Sequence, residues 1–147
     1  MKRSWAVFAI LGFLFLSFSI ESFAQELPYT EGSVWQVTFV KTKPGMGLKY
    51  LKNLQTNWKK VLDEGKKEDL ILSYKILSGS AATRDDWDLM LMVELKNMAA
   101  LDGLEEKFMA IANKTIGPED EQDALMTNLG EIRKIMGSKI TRELIFK

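Results

Sequence analysis

Trp87-Asp88-Leu89-Met90-Leu91-Met92-Val93-Glu94-Leu95 is the stretch on which the fold turns. Read at period two, Trp87, Leu89, Leu91, Val93 and Leu95 make one continuous apolar face, and Asp88, Met90, Met92 and Glu94 make the other. This is a strand, and its all-aliphatic face belongs under helices. Just upstream, Leu70 to Ser78 reads as a second strand, with Leu72, Tyr74 and Ile76 alternating against Ser73 and Lys75. The small, polar run Gly79 to Asp86 joins the two as a hairpin loop.

Further upstream, Leu48, Leu51, Leu54, Trp58, Val61 and Leu62 recur every three or four residues, opposite several lysines. That spacing predicts an amphipathic helix over 47–64, with Gly65 as its stop. Val34 to Lys41 precedes it as a strand, with Trp35, Val37 and Phe39 opposite Gln36 and Thr38. Lys43-Pro44-Gly45 ends that strand, and the polar segment 25–33 before it reads as a flexible lead-in.

Downstream, Asn97 is an expected N-cap for a helix whose stripe is Leu101, Leu104, Phe108 and Ile111. Gly117-Pro118 opens another, with Glu119, Asp120, Glu121 and Asp123 at its positive end. Leu125, Leu129, Ile132 and Met136 carry its apolar side, and Gly137 is expected to stop it. Ile140 to Phe146 is the last strand. The order β-α-β-β-α-(α)-β predicts an α+β, ferredoxin-like antiparallel sheet with its helices on one face. The other face, carrying Met90 and Met92, is apolar enough to need a partner.

The N-terminus carries an address. Lys2 and Arg3 precede an apolar run, Trp5 to Phe18, and Ser22-Phe23-Ala24 supplies small residues at the exit. A basic head, about 7–15 apolar residues and a small-x-small exit are the parts of a signal peptide. The run is short of the roughly 20 residues a spanning helix needs, although an uncleaved anchor is the competing reading. Cleavage between Ala24 and Gln25 would leave one exported domain, periplasmic or extracellular, without a stable membrane anchor. Losing Lys2, Arg3 and Glu21 leaves it 18 basic and 19 acidic side chains, which lacks the basic excess of a nucleic-acid binder.

The sequence contains no cysteine and no histidine. That removes disulfides, a lipidated cysteine, thiol catalysis, histidine bases and histidine ligation of zinc or haem. No cofactor or metal is expected. The acidic run Glu119 to Asp123 lacks the alternating ligands of a calcium loop, and Gly45-Met46-Gly47 is no phosphate loop. Asn113-Lys114-Thr115 is a formal glycosylation sequon, relevant only in a eukaryotic secretory pathway.

Three short stretches carry a resemblance. Val40-Lys41-Thr42-Lys43-Pro44-Gly45 resembles the strand exit of dimeric α/β-barrel proteins. Val93-Glu94-Leu95-Lys96-Asn97-Met98-Ala99-Ala100-Leu101 resembles that superfamily's turn from third strand to second helix, with Leu95 where an aromatic is common. Ser73-Tyr74-Lys75-Ile76-Leu77 resembles its second strand, so that the likeness spans 34–112. It includes antibiotic-biosynthesis-monooxygenase-like domains, haem-degrading enzymes, and small cyclases and isomerases. The resemblance implies a homodimer whose two sheets close a barrel around a cavity.

The candidate cavity residues are Gln36, Thr38, Tyr74, Met90, Met92, Glu94 and Arg142. The methionines suit a flat apolar ligand, with Glu94 as anchor or base. The alternative is a dimer core in which Glu94 pairs with Arg142 or a lysine. Gln36 and Thr38 reach the same cavity if Trp35, Val37 and Phe39 pack under the helices. Tyr74 either joins them or sits on the helix side with Leu72 and Ile76. Trp58 belongs to the helix stripe and hence to the core, whereas Trp35 and Trp87 are open to an aromatic ligand. Three functions follow: binding of a small apolar molecule in the barrel, cofactor-free monooxygenase, cyclase or isomerase chemistry through Glu94 or Tyr74, or a structural homodimer.

Overall fold

The computed structural model describes residues 26–147, so the signal segment lies outside the described residues. Four strands form one antiparallel sheet in the order β2-β3-β1-β4, where β1 is Tyr29–Thr42, β2 Ser73–Ser78, β3 Leu89–Leu95 and β4 Arg133–Phe146. Three helices complete an α+β architecture consistent with a ferredoxin-like fold. The first, α1, is α-helical over Gly47–Asn53, widens to a π-turn over Leu54–Trp58 and resumes over Lys59–Lys67. The second, α2, is Leu104–Thr115, and the third, α3, is Glu119–Ile132. None of these helices is long and apolar enough to cross a membrane.

Local chemistry explains most of the boundaries. Pro44 and Gly45 make the turn after β1: Met46 donates to the Lys43 carbonyl, and Gly45 takes φ +76°. Asn97 caps as expected, its side chain accepting from the Ala100 N–H, but the element it caps is a 3₁₀ turn, Met98–Leu101. Gly65 does not end α1. It is buried at the helix crossing, where an added Cβ would lie 2.6 Å from the Phe108 ring. The helix ends two residues later, at Lys67, and Asp69 beyond its cap takes φ +55°. Its N–H reaches the Lys66 carbonyl and that of Leu70 reaches Gly65, which together form a Schellman closure.

The register of the strands assigns the two faces. Val34, Val40, Leu89, Leu91 and Leu95 are buried under the helices, with Tyr50, Leu54, Leu62, Leu104, Leu129 and Ile132 packing down on them. Trp35, Val37 and Phe39 stand opposite Glu94, Met92 and Met90 on the uncovered face. This reverses the parity expected for β1, whose helix-side residues are Val34, Gln36, Thr38 and Val40. Both faces of this strand carry apolar residues, and β3 settles which is covered, because only its helix side is wholly aliphatic. Trp87 leaves the β3 stripe as well, packing its ring 5.5 Å from Phe39.

The ends of the sheet depart further from expectation. Residues 29–33 are strand, because β4 is long enough to pair with them. α3 stops at Ile132 and β4 begins at the next residue, with no loop between them. Arg133, Lys134 and Ile135 pair with Thr42, Lys41 and Val40, so sheet pairing overrides the helical period that would have reached Met136. Gly137, the expected helix stop, pairs with Phe39 instead, and Met136 is the extra residue of a bulge beside it.

Candidate functional site

A cleft opens between the sheet and the helices, in two lobes that share Thr38, Trp58, Leu91, Glu105 and Phe108. The inner lobe, about 620 Å³, is floored by Gln36, Thr38, Leu91 and Val93 and walled by Leu62, Leu101 and Leu104. The outer lobe, about 480 Å³, runs between α1, α2 and α3 to the start of β4, where Arg133 and Ile135 line it. Both lobes are open to solvent on one side and mostly apolar.

The sequence makes this cleft by placing two polar residues on a face otherwise built of Val and Leu. At Gln36 and Thr38 no large aliphatic rises to meet α2, and the helices bridge the gap. The Thr38 hydroxyl is 3.3 Å from that of Ser138, which in turn donates to the Val37 carbonyl at 3.1 Å, so that the floor is tied to β4. The π-turn of α1 ends at Trp58 and presents it to both lobes. A widened helical turn of this kind is frequent at functional sites.

Trp58 is held from behind. Its ring meets Tyr74 edge-on at 5.3 Å. The Tyr74 hydroxyl donates to Asp63 at 2.5 Å, and Lys59 donates to the other oxygen of Asp63 at 2.5 Å. Tyr74 therefore lies on the helix side, where it positions Trp58 and does not line the cleft. Its phenol is raised above the ordinary tyrosine range by burial and then by the bond to Asp63. Asp63 is lowered by Lys59 first and by Tyr74 second.

The expected cavity residues thus fall on opposite faces of the sheet. Gln36 and Thr38 line the cleft. Met90, Met92 and Glu94 lie on the uncovered face, where Lys75 of β2 and Lys139 of β4 flank the apolar strip. Arg142 pairs in register with Val34 on the helix side and bonds Glu31, and so does not meet Glu94. Glu94 instead accepts from the Ser73 hydroxyl at 2.5 Å. That bond, helped by Ser33 and Lys75, lowers its carboxyl below the ordinary glutamate range. A carboxylate held down and a phenol pushed up are each poorly matched to proton transfer near neutrality.

Sequence reasoning missed Arg133, Phe108 and Leu91 as cleft residues. Arg133 lay inside the expected third helix, and Phe108 and Leu91 read as ordinary core. The signal that was available was the pair of polar residues, Gln36 and Thr38, between Val34 and Val40. Among the described residues, no three acids come together as a metal cage.

No family model and no curated protein matches the chain. Among solved structures, it is similar to the crystal structure of HapK from Hahella chejuensis, at 9% identity and a TM-score of 0.47, over 75% of this chain and 91% of that one.

Proposed function

We propose that this chain is an exported α+β domain that pairs with a second copy of itself and carries a small, largely apolar molecule in the cleft under its helices. The observation that carries this reading is the cleft itself: two connected lobes of about 620 and 480 Å³, with Trp58 and Phe108 common to both. An aromatic-walled, apolar concavity with few polar groups is the usual form of a small-molecule site. The barrel-closing dimer uses the other face, where Trp35, Val37, Phe39, Met90 and Met92 form a strip no helix covers. Binding site and pairing face are then back to back across one sheet.

Nile red, an uncharged apolar dye, tests the binding. The protein is expected to take it up with enhanced fluorescence, and Thr38→Phe, which fills the shared part of both lobes, to weaken uptake about tenfold or more. A β-former at a strand position should leave the fold intact. A protein that binds no apolar dye and travels with no small molecule in native mass spectrometry is not a carrier. The same spectrum, showing twice the mass of one chain, tests the pairing.

A further inference from the structure

Arg133 occupies an unusual place. It is the first residue of β4 and follows the last residue of α3 directly, so its backbone is fixed by both elements. Its guanidinium lies over the Tyr50 ring, 5.4 Å from the centroid, and its side chain lines the outer lobe. The Nε–H is buried and has no hydrogen-bond partner. Among the described residues, Arg133 makes no ion pair within 4.0 Å, although five other basic residues do.

The nearby acids do not supply that partner. Asp88, which acts on the same Tyr50 hydroxyl as Arg133 does, is occupied by Thr42: it accepts from the backbone N–H at 3.1 Å and from the hydroxyl at 2.6 Å. Glu105 lines the same lobe but is exposed on α2 and outside ion-pairing distance of Arg133. The buried Nε–H is thus a donor without an acceptor, on a side chain that is only half-buried, and an anion reaching the guanidinium would supply the missing bond.

Resting on the carrier reading above, we propose that the cleft's ligand is an amphipathic monocarboxylate: an alkyl or aryl body in the apolar lobes, with its carboxylate on Arg133. The planar guanidinium fork matches a carboxylate in shape. Arg133 is the one cation among the residues lining this lobe, which suits a monoanion better than a doubly charged phosphate ester. The Tyr50 ring, 5.4 Å from the guanidinium carbon, adds a cation–π contact that helps to hold it.

Matched probes test this in the protein expressed from the full chain. Decanoate and 1-decanol, and 2-naphthoate and 2-naphthalenemethanol, are titrated calorimetrically at pH 7.5 against wild type, Arg133→Gln and Arg133→Lys. Wild type is expected to prefer each carboxylate over its alcohol by about tenfold, the size of a charge-assisted hydrogen bond. Arg133→Gln should abolish the preference by weakening carboxylate binding about tenfold, while Arg133→Lys retains part of it. Alcohols and acids bound equally by wild type would overturn the assignment of Arg133 and leave the carrier reading standing. No binding of any of the four would overturn both. Because the wild-type comparison alone separates these outcomes, a glutamine variant that fails to fold does not shield the proposal.

Discussion

The two faces of this sheet are built by different rules. The helix side is lined with Val and Leu, yet it contains the cleft. The uncovered side is lined with Trp, Phe and Met, yet its centre is closed: Val37, without any helix above it, is only 6% exposed. The difference is one of side-chain reach. On the helix side, packing depends on distant elements arriving, and two short polar residues are enough to leave a gap. On the open side, long side chains from adjacent strands fold over one another and need nothing above them to exclude water. A face that looks unfinished can be nearly self-sufficient, and a covered face can hold the empty space.

Substitutions that act on one face only would sharpen this contrast. The largest effect is expected from Leu95→Ala on the helix side, where the residue is fully buried between two helices and the sheet. A cavity there should cost about 2–5 kcal/mol, read as a lower denaturation midpoint in urea. A loss well below that range would mean the helix side already packs loosely away from the cleft. Next is Gly65→Ala at the crossing of α1 and α2. Its methyl must displace the Phe108 ring, at about 1–3 kcal/mol of overpacking against up to about 1 kcal/mol returned by helix propensity. An unchanged midpoint would show that the helices separate easily.

Met92→Lys acts on the open side. The monomer should lose only about 1 kcal/mol, because Met92 is half-buried beside Val37 and a lysine there faces Lys75 across the strands, while the proposed pair separates. Light scattering that still gives twice the chain mass would exclude this face as the pairing surface. The smallest effect is expected from Glu94→Gln. Glu94 is lowered in the folded chain, foremost by the Ser73 hydroxyl, so its stabilisation is present above the ordinary glutamate range and fades as the pH falls through it. The glutamine variant should lose a small part of the stability at neutral pH and show a shallower acid limb in a pH series of melting curves. Identical limbs would mean that Glu94 is no more stabilised folded than unfolded.

How much of this was legible in the sequence depended on whether one face of an element was unambiguous. The aliphatic side of β3 was, and it correctly went under the helices. β1 was not, since Trp35, Val37 and Phe39 outweigh Val34 and Val40 in bulk, and bulk is a poor guide when the aromatic face is the uncovered one. Tyr74 was undecidable by itself, because its orientation follows from pairing with Val93 and from Asp63, eleven residues earlier on α1. The end of α3 was misplaced because a helical period ran on through Met136, and only the length of β1 reveals that a strand competes for those residues. The cleft under the helices was not read at all: Gln36 and Thr38 were expected on the opposite face, and only with the parity of β1 reversed do they stand where aliphatics belong. Arg133 lay in the contested stretch and could not be read as a site residue at all.

β4 has one further consequence. It is an edge strand of fourteen residues, and Ile140, Leu144 and Phe146 are about half or more exposed along it. A long, apolar, unpaired edge is a template on which other chains can add strands. Lys134, Lys139 and Arg142 interrupt it, Lys147 follows its last residue, and the bulge at Met136 bends its first third away from a straight ladder. The same strand that delivers a cation to the cleft thus carries a row of cations along the border of the sheet, where they discourage fibre-like growth of one molecule onto the next.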